Sequence, residues 1–183
     1  MTGVNALQQW NRCPECIEIG ETSHPVRLLK RDNLYGIRSA DAGRIPGDVE
    51  IEPIGEDVAI AHAAPSPALE GDFELLPVYA ASEVSTPAVA TERVFLRLDE
   101  QSSPRNLKTR LEKLGFVLAE IPSYAPHCAW LEPASGRVDE ALSKLGELRA
   151  LPHVAHVDPQ LLRPRRARPA NPGAPPAAPD GAN

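Results

Sequence analysis

The sequence predicts an α+β protein: a C-terminal ferredoxin-like βαββαβ unit with an antiparallel sheet, preceded by a small β-rich region and followed by a disordered tail. Three observations predict it. Residues 93–98 alternate apolar and polar side chains as a strand does. Two leucine stripes at helical spacing follow, each separated from the next short apolar run by Gly or Pro. The last residues are dominated by Pro and Ala.

Each element has its own signals. In Arg93-Val-Phe-Leu-Arg-Leu98, Val94, Leu96 and Leu98 share one face and Arg97 the other. Ser103-Pro104 supplies an N-cap residue and a proline for the first helical position. Leu107, Leu111 and Leu114 then form one stripe, and Gly115 stands where a helix C-cap glycine belongs. Phe116–Ile121 reads as a second strand, broken by Pro122 to Pro126, and His127–Leu131 as a third. Pro133-Ala-Ser-Gly136 is a turn before a second helix, whose buried side is Val138, Leu142, Leu145 and Leu148. Leu151-Pro152 stops that helix, because the residue before a proline is pushed out of the helical region. His153–Val157 is the last strand, ended by Asp158-Pro159. This order is the split βαβ arrangement, with two helices on one sheet face and the other face free to dock something.

The rest of the chain divides around this unit: a β-rich acidic region over 1–79, a linker over 80–92, the ferredoxin-like unit over 93–166 and the tail over 167–183. Within residues 25–62, Pro25–Leu29, Leu34–Ile37, Asp48–Glu52 and Asp57–Ile60 read as four short strands, and 63–71 as a first linker. Phe73–Tyr79 reads as an isolated strand. Aromatics make up 4% of the 183 residues and prolines number 20, which argues against one large core. Residues 1–92 carry 6 Lys+Arg against 15 Asp+Glu, and residues 93–183 carry 13 against 10, so the two halves face solvent differently.

Composition also excludes partners. No run of about 18 apolar residues exists, so no membrane partner is expected. Met1–Cys13 lacks a basic stretch followed by an apolar one, so a cytoplasmic chain is expected. Three cysteines in that setting imply no disulfide framework. The basic run Arg163–Arg168 is short and lacks an aromatic platform, so nucleic acid is not expected. Cys13-Pro-Glu-Cys16 can supply two thiolates to zinc, with His24 the nearest third ligand, but a structural site needs four. Cys13, Cys16 and His24 are therefore weak metal candidates, and no cofactor is expected. No Gly-rich phosphate loop, no H-E-x-x-H and no nucleophile–base–orienter set is recognisable, so the chain is read as a non-enzyme.

Three phrases point to a family. Gly115-Phe-Val, Tyr124–Trp130 and Leu148–Leu162 resemble the propeptide domain of subtilisin-family serine proteases. The last contains Leu151-Pro-His-Val-Ala-His-Val-Asp-Pro159, similar to a family phrase of Leu-Pro-Gly-Val-x-x-Val-Glu-Pro. His153 stands for its glycine and Asp158 for its glutamate. The resemblance covers residues 93–166. It implies that the chain binds and inhibits, or assists the folding of, a subtilisin-like protease. The open sheet face would dock on the protease, with Phe95 and Trp130 as contacts. Asp158, Pro159, Gln160, Leu161, Leu162 and Arg163 would extend into the substrate cleft. The plainer roles are core packing for Trp130 and edge packing for Leu161 and Leu162. A non-inhibitory adaptor and the detached propeptide of a longer precursor are the alternatives.

Overall fold

The computed structural model describes residues 6–21, 24–66 and 74–164. The expected tail, 167–183, lies outside them, as does most of the first expected linker. The described chain is α+β, with a predominant antiparallel sheet and short helices.

Among the described residues nine strands form one sheet. They are β1 (Cys16–Ile19), β2 (Val26–Arg38), β3 (Ile51–Pro53), β4 (Val58–Ala61), β5 (Leu75–Ala80), β6 (Ala88–Leu98), β7 (Phe116–Glu120), β8 (Cys128–Pro133) and β9 (Val154–Leu162). The path is β3-β4-β2-β5-β6-β8-β7, with β1 added to β2 and β9 to β6. Helix α1 (Ala6–Arg12) precedes β1. A 3-10 turn at Pro104–Leu107 leads into α2 (Lys108–Lys113), and α3 (Val138–Ser143) and α4 (Leu145–Arg149) lie between β8 and β9.

The first helical segment starts as its sequence dictates. The Ser103 hydroxyl accepts from the Arg105 N–H, Pro104 occupies the first turn, and Gly115 ends the segment at φ 83. The second expected helix is two short ones, interrupted at Lys144. The Lys144 ammonium donates to the Leu114 carbonyl at 2.8 Å, satisfying an end of the other helical segment.

Four expectations need correction. Val26–Arg38 is one strand of 13 residues, not two, because the Asp32-Asn33 region is absorbed as an irregularity in the β2–β5 register between Lys30 and Tyr35. Phe73–Tyr79, expected as an isolated strand, corresponds to β5, which pairs with β2 on one edge and β6 on the other. Residues 88–92, expected as linker, are the first half of β6, and Ala88, Val89, Ala90 and Thr91 are all buried there. The last strand does not stop at Asp158-Pro159 but runs to Leu162, since a proline is tolerated beside the β6–β9 register shift between Ala90 and Val94.

Strand β6 therefore belongs to both halves of the molecule. Val89 pairs with Val78 of β5 on one side and Leu162 of β9 on the other. Further along, Val94 pairs with Leu131 of β8 and Pro159 of β9. One core runs through both halves. Leu111, Val138, Leu142, Leu145 and Leu148 of the helices pack with Leu96, Phe116, Leu131 and Val157, and the same cluster includes Ile17, Leu28, Ile60 and Val78. A second cluster joins Ala6 and Trp10 to Tyr35, Ile37, Ala59, Ala61 and Leu75. Neighbours such as Leu34 and Tyr35, or Leu75 and Leu76, go to different clusters, so β2, β4 and β5 are buried on both faces.

Candidate docking face

Beyond Ala90 the sheet has one face under the helices and one without them. On β6, Val94, Leu96 and Leu98 point into the core, so Arg93, Phe95 and Arg97 stand on the opposite side. Register brings Trp130 of β8 and Asp158 of β9 to either side of Phe95, and His156 opposite Arg97.

These side chains make one cluster. The Phe95 and Trp130 rings meet edge-on, with centroids 5.2 Å apart at 62°. His156 approaches Phe95 from the other side at 6.5 Å. The Arg93 guanidinium lies 5.0 Å over the Trp130 ring and reaches Glu132 at 3.2 Å and Glu120 at 3.5 Å. His156 Nε2 sits 2.8 Å from Asp158 Oδ2, and the other Asp158 oxygen accepts from the Gly20 N–H at 2.9 Å. Phe95, Trp130 and His156 are each half-buried. Aromatic residues and arginine are the types enriched at protein interfaces, and Phe95, Trp130 and Arg93 bring both together here.

The expected site residues divide into two groups. Phe95 and Trp130 stand together on this face. Asp158, Pro159, Gln160, Leu161 and Leu162 do not form a free arm: they are the second half of β9, with Pro159 opposite Val94 and Leu161 opposite Ala90. The Thr91 hydroxyl donates to Gln160 Oε1 at 2.8 Å, fixing that side chain too. Arg163 follows the strand and is exposed. Sequence reasoning passed over His156 and Arg93 as site residues. The signal for His156 was its place two residues before Asp158, which puts both on one strand face.

His156 and Asp158 resemble a base and its orienting group. Among the described residues, however, no hydroxyl or thiol is hydrogen-bonded to either. The two thiols of Cys13-Pro-Glu-Cys16 point into different surroundings. Cys13 is buried, and its Sγ donates to the Gln9 carbonyl at 3.5 Å. Burial pushes its pKa up to about 12, with the Asp139 charge adding to the shift. Cys16 Sγ instead accepts from Arg27 Nε at 3.3 Å on the exposed side of β1. His24 is exposed, and among the described residues no three His, Cys, Asp or Glu side chains gather closely enough to hold a metal ion. Among the same residues no helix is long and apolar enough to cross a membrane.

No family model, no curated protein and no solved structure matches the chain.

Proposed function

We propose that the chain is a non-enzymatic protein-binding module whose open face, centred on Phe95 and Trp130, docks on a subtilisin-like serine protease. The single observation that carries this reading is the cluster of Phe95, Trp130, His156 and Arg93 on the sheet face that the helices leave uncovered. Two further observations support it. From β6 on, the chain runs strand, helix, strand, strand, two short helices and strand, with β9-β6-β8-β7 as antiparallel neighbours, which supports the expected split βαβ order. His153, which stands for the glycine of the propeptide phrase, adopts φ 63, a conformation that glycine favours.

The pairing within β9 changes how a cleft would be reached. Asp158–Leu162 are held by β6, so the part entering a substrate cleft starts at Arg163, five residues later than the resemblance implies. The test is a titration of the full chain against a panel of active subtilisin-like proteases, with a trypsin-like protease as control. Selective inhibition of the first group, lost in Trp130→Ala with Phe95→Ala, supports the proposal. Absence of binding to every member argues against it.

The same pairing favours a second reading. A module whose last strand is fixed in the sheet can dock through its face alone, as an adaptor that leaves catalysis intact. Protease binding without inhibition identifies that case.

A further inference from the structure

Among the described residues, His153 is the one non-glycine residue in the left-handed region, at φ 63. That conformation costs stability wherever a Cβ is present, and residues strained in this way collect at ligand sites. His153 borders a cavity.

The cavity, of about 380 Å³, lies between the first helical segment and the turn that precedes β9. Its volume is in the range of small-molecule sites. The buried Leu98 and Leu107 form its floor. Ser102, Asn106 and Arg110 line one side, and the exposed His153 the other.

Ser102, Asn106 and Arg110 can each donate a hydrogen bond, and among the described residues none of their side chains has a partner. Arg110 carries the one permanent charge of the lining, and among the same residues no carboxylate lines the cavity. Asp99 stands outside it, 3.4 Å from His153 Nδ1, and holds that side of the ring.

We propose that this cavity binds a small organic molecule with a single carboxylate and a short branched apolar body. The planar Arg110 guanidinium matches a carboxylate in geometry, and in charge one against one. Ser102 and Asn106 supply further donors to its oxygens. Leu98 and Leu107 take the apolar body. The His153 ring closes the side away from the helical segment, which gives a reason to keep a side chain where glycine fits the backbone better. The cavity lies on the helix side of β6, away from the Phe95–Trp130 face, so the inference does not rest on protease binding.

The experiment uses the full chain and follows amide chemical shifts during titration with isocaproate, a branched monocarboxylate. Its alcohol, isohexanol, and inorganic phosphate are the controls. The expected result is saturable shifts at residues 98–110 and 152–153 with isocaproate, and weaker binding of both controls. Arg110→Gln is expected to weaken binding about tenfold, the loss of one charge-assisted contact. Arg110 is exposed, so the fold is retained. His153→Gly is expected to weaken binding while raising the unfolding midpoint, a combination that a merely structural residue does not give. Absence of saturable binding below about 10 mM, a loose limit for a ligand of this size, overturns the proposal. Equal binding of isohexanol, which means an apolar cavity without charge selection, overturns it as well. So does equal binding of phosphate, which means a general attraction of anions to Arg110. Shifts centred elsewhere, or full binding by Arg110→Gln or His153→Gly, are equally fatal to it.

Discussion

Asp158 and Gly20, 138 residues apart in sequence, are joined by a hydrogen bond of 2.9 Å from the Gly20 main-chain N–H to the Asp158 carboxylate. Arg149 strengthens the same seam, donating to the Glu18 carbonyl of β1 and to the Val157 carbonyl of β9. The ends of β1 and β9 are thus tied by side chains. Arg149→Ala is expected to destabilise the protein by about 1.5–3 kcal/mol, the range for hydrogen bonds to a charged donor. Urea unfolding with an unchanged m-value checks the size, and faster amide exchange at Gly20 checks the place. A loss near zero would mean that water replaces the guanidinium without cost.

Cys13 makes stability sensitive to alkali. Burial raises its pKa from 9.0 to about 12. Above the lower value the unfolded chain gives up this proton while the folded chain keeps it, so the unfolded state binds fewer protons. Stability then falls as pH rises through that window, by about 1.4 kcal/mol per pH unit from this group. The Tyr79 hydroxyl, also raised by burial and bonded to the Pro14 carbonyl at 2.7 Å, acts in the same direction at higher pH. Cys13→Ala is expected to start less stable but to lose less between about pH 8 and about pH 10. Parallel stability curves for the two proteins would contradict this. In the native state a thiol reagent should modify Cys16 well before Cys13.

His153 is in the left-handed region at φ 63, between the Pro152 turn and β9. A side chain there costs about 1–2 kcal/mol relative to glycine. Part of that cost is offset by Asp99, whose carboxylate is 3.4 Å from His153 Nδ1 and whose N–H donates to the His153 carbonyl. The carbonyl contact survives substitution. His153→Gly is therefore expected to stabilise the protein by about 0.5–1 kcal/mol, after the greater freedom of glycine in the unfolded chain is subtracted. A midpoint shifted downward in thermal unfolding would show that the imidazole contact is worth more than the strain.

Gly36 is required by its neighbours rather than by its backbone angles. A Cβ at this position would lie 2.5 Å from a Val89 methyl and 3.0 Å from the Leu76 Cβ. Both are fully buried, so neither can move aside freely. Gly36→Ala is expected to cost about 1–3 kcal/mol by overpacking. The paired variant Gly36→Ala with Val89→Ala should recover part of the loss, which a double-mutant cycle measures.

Much of the second half was legible before the structure. Ser103, Pro104 and Gly115 specify a helix start and stop by local chemistry, and the structure uses each in that role. Alternation placed Val94, Leu96 and Leu98 inward and so left Phe95 outward with its neighbours. The failures share a cause: they fall where distant strands decide the outcome. Ala88-Val-Ala-Thr91 has the composition of a linker, and only the flanking strands β5 and β9 make it buried sheet. Asp158-Pro159 reads as the end of a strand and the start of an exposed arm, yet β6 captures the segment through Leu162. Helix α1 passed unnoticed because seven residues show too few turns for a periodic stripe, and Trp10 becomes a core residue only when Tyr35 and Leu75 are beside it.

The double membership of β6 also constrains how the chain is made. As residues leave the ribosome in order, β5 can meet β6 early, but β9 is synthesised only after three short helices and two further strands have emerged. Until then one full edge of β6, including the apolar Val89, Val94 and Leu96, has no mate. At typical elongation rates of about 5–20 residues per second, that interval lasts several seconds. During it the nascent chain presents an unpaired apolar strand of the kind that chaperones shield and that recruits other nascent chains.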